Sequence, residues 1–212
     1  SATQIPGFPE QALHILREGT AGRREETLKP DQVPLKHWNY EVLAGPGYVL
    51  DVAAHLLQER HETVQICPLA MSGSPILWSH RFRQWLSQQP LAPGTWVIAV
   101  GEAEVAIPPE HLPGKGGRAS HLAMALARQC LESRDSYDLA VLATDGMDGN
   151  SDLGGGFVSR EDLEPFTDQY LAQILDSCDT AGFLKNIGRT FPGWASGTNY
   201  GDLLLFRMRN IY

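Results

Sequence analysis

Four stretches of the chain place chemically able side chains at spacings that matter. The first is GKGGRAS (114–120), which lies between a buried-strand pattern and a helix pattern. Glycines let backbone N–H groups come close to an anion, and the amino end of a helix adds partial positive charge. Lys115 supplies a point charge, and Arg118 can fork onto a phosphate or carboxylate. Gly116 and Gly117 would form the cradle. The same residues also read as an exposed flexible loop with solvated cations. Neither the Walker A pattern nor GxGxxG is present.

The second stretch is TDGMDGNSD (144–152), directly after an apolar run. Its carboxylates Asp145, Asp148 and Asp152 could hold Mg²⁺ or orient a sugar-like hydroxyl, or they could cap the chain's own N–H groups in Asx turns. The positions of the acids exclude an EF-hand, because Gly156 stands where the closing glutamate belongs. The third is SGTNYGD (196–202), either a ligand turn or simply the entry to a last strand. It reaches the ligand edge of a parallel sheet only if the strand that follows runs antiparallel to the rest. The fourth is Glu102, leaving the apolar run at 96–100.

Histidines show no metal-ligand spacing, and His121, beside Arg118 at a helix start, is the one placed near these loops. No GxSxG elbow supports a serine hydrolase. Cys67, Cys130 and Cys178 are odd in number and far apart, which fits reduced core thiols of a cytoplasmic protein better than a disulfide frame or a zinc site. A net charge of −8 opposes nucleic-acid binding. No apolar run approaches the roughly 20 residues that span a bilayer, and the opening residues SATQIPGFPE lack a signal-peptide pattern.

The elements that must position these residues follow from periodicity. The chain has 212 residues, 42% of them hydrophobic, enough for one substantial core. Residues 1–36 read as a short helix (Glu10 to Arg17) and a charged connector, and residues 37–212 as a single α/β domain. In that domain strand patterns at Tyr40–Leu43, Thr63–Leu69, Trp96–Val100 and Asp138–Ala143 alternate with helices. The helix patterns carry Val49, Val52, Ala53, Leu56 and Leu57, then Trp78, Phe82 and Trp85 after an N-terminal Ser74-Pro75, then Leu122, Leu126 and Cys130. The Trp78/Phe82/Trp85 stripe reads as core. Such alternation predicts a three-layer αβα fold with a mostly parallel sheet. Beyond Thr144 it predicts helices near 166–175 and 180–187 and a closing, antiparallel strand at 203–208. Loops leaving the carboxyl ends of the strands, at 44–47, 70–74, 101–118 and 144–156, should then be neighbours.

The motifs GKGGRASHLAMALA (114–127), LATDGMDGNSDLGGG (142–156), DTAGFLKNIG (179–188) and SGTNYGDLLLF (196–206), in that order, resemble the carboxyl-terminal portion of the glycerate 2-kinase family, the MOFRL domain. Upstream, ETLKP (26–30) is similar to that family's ETPKP connector and VIAVGEAEV (97–105) to its strand ending in GGET. The resemblance implies ATP- and Mg²⁺-dependent phosphorylation of D-glycerate at its 2-hydroxyl, in a cleft shared with an amino-terminal Rossmann-like domain. Family members also carry the label hydroxypyruvate reductase.

Carried over by motif, the resemblance implies catalytic roles for Arg118 and Asp145. It implies substrate or phosphate contacts for Glu102, Lys115, Gly116, Gly117, Thr198, Asn199 and Asp202, and metal ligation for Asp148 and Asp152. The sequence departs from the family in three places. Ala119, Ser120 and His121 stand for Asn-Gln-Glu, Ala103 and Glu104 replace paired threonines, and GWAS (193–196) replaces Thr-Gly-Pro-Thr. A degenerate domain binding a small anionic metabolite or a protein partner is the alternative, and nicotinamide-dependent reduction a third reading. The expected partners are an amino-terminal domain on a separate chain, or a second copy.

Overall fold

The computed structural model describes residues 8–25, 41–107, 110, 112–133 and 135–209. Contacts divide the chain into Ser1–Leu43 and Ala44–Tyr212. The boundary expected after residue 36 and the ETLKP connector lie outside the described residues. In the first unit, helix α1 (Glu10–Thr20) buries no side chain, leaves Ile15 and Leu16 exposed, and carries an Arg17–Glu10 ion pair at 3.1 Å.

The second unit runs α2 (Pro46–Gln58), β1 (Val64–Ile66), β2 (Met71–Gly73), α3 (Pro75–Leu86), β3 (Trp96–Ala103), α4 (Arg118–Cys130), β4 (Tyr137–Ala143), β5 (Leu153–Ser159), α5 (Arg160–Leu163), α6 (Asp168–Asp176), α7 (Thr180–Asn186), β6 (Thr190–Pro192) and β7 (Asp202–Met208). This is an α/β fold on a seven-stranded mixed sheet of order β1-β3-β7-β4-β5-β6, with β2 also paired to β3. Strands β1 and β2 pair with β3 in parallel, and every other pairing described is antiparallel. The last strand is antiparallel to both its neighbours, as expected. Its insertion between β3 and β4 separates two strands that would otherwise have paired in parallel.

The core follows from alternation. Every second residue of β4 (Tyr137, Leu139, Val141, Ala143) is buried, and Leu204 and Phe206 of β7 join them. Helix α4 packs on this face beside α3, α6 and α7. Its expected stripe, Leu122, Leu126 and Cys130, widens to nearly the whole circumference, because neighbours cover it on all sides. Ala119, Ala123, Ala125 and Ala127 keep the helix thin enough for that. Phe82 lies 5.1 Å from Trp78 and 5.4 Å, edge-on, from Phe206. The Trp78 indole N–H donates to the Ala70 carbonyl at 3.0 Å, so the aromatic stripe of α3 is core. Cys67 and Cys130 are buried free thiols.

Several expectations shift. Glu41–Leu43 form no strand, and Tyr40 lies outside the described residues. The expected loop at 70–74 is strand β2, and Ser74 precedes α3 without a side-chain cap. On α2, Val49, Ala53 and Leu57 are half-buried while Val52 and Leu56 stay exposed. Strand β5 begins inside the stretch 144–156, expected to be a loop. Its missing side chains are functional to packing: the Trp194 ring lies over Gly154 and the Leu184 side chain over Gly156. Among the described residues no helix is long and apolar enough to cross a membrane.

Candidate functional site

Register fixes the centre of the site. Asp202, the first residue of β7, faces Gly101 of β3 on one side and Ala143 of β4 on the other. Because β7 runs against both, its entry lies at the edge where β3 and β4 deliver Glu102 and Thr144. Thr144 stitches the 196–201 turn to that edge. Its hydroxyl donates to the Gly201 carbonyl at 2.6 Å and accepts from the Tyr200 N–H at 2.8 Å. Thr198 and Asn199 themselves are exposed and engaged locally, Asn199 accepting from the Gly201 N–H at 2.9 Å and the Ser196 hydroxyl donating to the Thr198 carbonyl at 2.9 Å.

The GKGGR and TDGMDGNSD loops do meet. Asp148 is buried and its carboxylate accepts from the Ala119 N–H at 2.8 Å and the Ser120 N–H at 3.1 Å. It thereby caps the amino end of α4, where charge and dipole reinforce each other. Burial pushes its pKa up, against the lowering effect of its bonds to Ser120, Ala119 and Gly117. Asn150, which the sequence reading missed, clamps the loop from both sides: its Oδ1 accepts from the Gly116 N–H at 2.9 Å and its amide donates to the Gly114 carbonyl at 3.0 Å. The Lys115 N–H donates to Asp179 at 2.9 Å, and the Gly117 N–H to the Ser120 hydroxyl at 3.3 Å. Backbones approach so closely that a Cβ on Gly117 would collide with the Gly149 nitrogen and the Asp148 carboxylate. Gly149 itself has φ +61°.

This arrangement corrects both readings of the glycine loop. The amides of residues 115–117, 119 and 120 are bonded to protein groups, so those N–H groups do not form a free cradle for a ligand. An internal carboxylate already occupies the helix end that would attract an anion.

What faces outward is Arg118. Its Nη1 pairs with Glu102, and its Nε lies 3.6 Å from the Asp202 carboxylate. Arg118 and Glu102 border a cavity of about 780 Å³ whose wall also includes His121, Asp145, Met147 and Asn150. Asp145 accepts from the Met147 N–H at 3.0 Å, an Asx turn. Burial lowers the pKa of His121, opposed by Asp176, and its Nδ1 has no hydrogen-bond partner.

Asp202 is 1% exposed, and neither carboxylate oxygen has a hydrogen-bond partner. The 3.6 Å to Arg118 is an ion pair too long for a hydrogen bond. Burial pushes its pKa up to about 7; Arg118 pulls the other way, and Asp148 and Asp145 add to the rise.

The acids expected to hold metal diverge. Asp148 is spent on α4, and Asp152 is exposed, pairing with Lys185 at 3.2 Å beside Lys115 in a separate depression. The Lys185 bond holds its carboxyl below the usual range. Among the described residues no group of three or more His, Cys, Asp and Glu side chains could hold a metal ion. The donor set of the described residues therefore does not fit a self-contained Mg²⁺ site.

A family model described as MOFRL matches residues 95–202, a span that holds every candidate residue from Glu102 to Asp202. The chain belongs to the MOFRL family. Among solved structures, the PH0495 protein from Pyrococcus horikoshii aligns over 96% of this chain and 47% of its own, with TM-score 0.70 and 21% identity. A glycerate kinase from Thermotoga maritima aligns over 94% of this chain and 50% of its own, with TM-score 0.66 and 23% identity. This MOFRL chain thus shares their fold and spans about half their length. No curated protein matches it.

Proposed function

We propose that this MOFRL chain supplies the acceptor-side half of a glycerate kinase site, whose nucleotide-binding half lies outside these 212 residues. In this reading Arg118 grips the carboxylate of D-glycerate or the transferring phosphate, and Asp145 and Glu102 accept hydrogen bonds from substrate hydroxyls. ATP supplies the phosphoryl group. With no such metal group among its described residues, this half leaves the ligation of Mg²⁺ to the nucleotide and the other half. The observation that carries the reading is Arg118 at the start of α4, held at the mouth of a cavity whose rim also bears Asp145 and Glu102. Phosphoryl transfer rests on positioning and charge stabilisation, which such a rim provides. Exposed Tyr48, Val52 and Leu56 on α2 offer apolar surface for the completing half.

The test combines the chain with a glycerate kinase amino-terminal half, ATP, Mg²⁺ and D-glycerate, and follows 2-phosphoglycerate. Turnover that appears with both halves and is lost in Arg118→Ala supports the reading; turnover unchanged in Arg118→Ala overturns it.

The internally satisfied glycine loop favours a second reading, a non-catalytic domain that binds a small anion. Binding of D-glycerate without turnover in the completed assembly distinguishes it.

A further inference from the structure

Arg118 is shared between two carboxylates of unlike environment. Glu102 is half exposed and can swing into water, whereas Asp202 is fixed at the head of β7 and almost wholly buried. A buried carboxylate with no hydrogen bond is costly to keep charged, and here the cation paired with it among the described residues is the Arg118 guanidinium. An anion that takes Arg118 toward the cavity removes that neighbour and brings another negative charge closer. Asp202 can meet this only by taking a proton from solvent onto Oδ1 or Oδ2.

We infer that Asp202 is a proton-holding positioning residue. Its carboxylate tethers Arg118 in the absence of an anionic ligand, and it becomes protonated when such a ligand draws the guanidinium away. The inference rests on Arg118 being the anion grip of the proposed site, and it adds a regulation of that grip by proton concentration.

The groups that face Asp202 are few. Arg118 comes from α4, and Asp145 and Asp148 come from the loop after β4. Glu102 from β3 reaches it only through Arg118. Its strand partners Gly101 and Ala143 carry no charge. His121, one turn along α4, has its pKa lowered by burial, opposed by Asp176. Asp148 is bonded to the Ala119 and Ser120 N–H groups, whereas Asp202 has no hydrogen bond and faces the guanidinium, so Asp202 is the group whose protonation follows it. Its pKa near 7 places the coupling in the neutral range.

Sulfate stays a dianion throughout that range, so the probe does not titrate. Titration calorimetry of the full chain with sulfate, in buffers of different ionisation heat, counts protons taken up on binding. The wild-type chain should take up close to one proton per sulfate above neutrality and lose roughly tenfold in affinity from about pH 8 to about pH 9. Asp202→Asn should bind sulfate with no proton uptake and a flat pH profile. Glu102→Gln should bind more tightly and keep the wild-type slope. Infrared spectroscopy of the wild type, independent of whether Asp202→Asn folds, should show a protonated-carboxyl band growing on sulfate addition.

An Asp202→Asn slope equal to wild type, or no such band, overturns the inference. Absence of sulfate binding at every pH removes the anion grip as well. Coupling that persists while glycerate turnover fails leaves the inference standing without the kinase reading.

Discussion

Replacing Asp202 by asparagine should stabilise the chain, and increasingly so as pH rises. The carboxylate sits at 1% exposure with no hydrogen bond, and burial lifts its pKa from 3.8 to about 7. A folded-state pKa above the unfolded one means that the folded chain holds the proton more tightly. Stability is then highest below the unfolded value and is lost as pH climbs to the folded one. A shift of about three units corresponds to roughly 4 kcal/mol between those limits. Asparagine matches the protonated acid in shape and carries no charge, so it does not titrate. Constant differences, such as the altered contact with Arg118, cancel when the same pair is compared at two pH values. The advantage of Asp202→Asn over wild type should therefore widen by roughly 2–3 kcal/mol from about pH 5 to about pH 8. Urea unfolding of both proteins at each pH measures it. A difference that does not change with pH, or narrows, would refute the assignment of Asp202 as a buried titrating group.

Two further outcomes test the scaffold beneath the site. Gly117→Ala drives a methyl group into the Gly149 backbone and the Asp148 carboxylate, and should cost about 2–4 kcal/mol by overpacking, read as a lowered unfolding midpoint. Asp152→Asn removes only an exposed pair with Lys185 and should leave the unfolding midpoint essentially unchanged, and a loss of phosphoryl transfer in the completed assembly would show that Asp152 has a role beyond that pair.

Much of the frame was legible because periodicity reports burial. The helices at α2, α3, α4, α6 and α7 and the strands β3, β4 and β7 follow from apolar spacing, and the condition that the last strand run antiparallel is met. Strand β5 was hidden because glycines at 154–156 remove the alternation that marks a strand, while tertiary contacts with Trp194 and Leu184 supply its reason. Sheet order was hidden for a related reason: nothing local in Leu203–Met208 says that it inserts between β3 and β4.

At the site, the sequence brought the two glycine loops to one edge but could not assign their polar groups. An aspartate followed by glycine looks the same whether it holds a metal or caps a helix, and Asp148 caps α4. Asn150 carried no signal, since an asparagine in a turn is ordinary until its amide is seen bridging Gly116 and Gly114. Asp202 stood at the end of the SGTNYGD turn, and only the family motif singled it out within that turn. Its burial depends on β7 lying between two strands, which no residue near it encodes.

The most direct test of the central claim, that Arg118 is the anion grip at the mouth of this cavity, is calorimetric titration of D-glycerate into the chain and into Arg118→Ala. Saturable binding by the wild type, weakened about tenfold or more in Arg118→Ala while both proteins unfold at similar midpoints, is the predicted result. Equal affinity in the two proteins would contradict it.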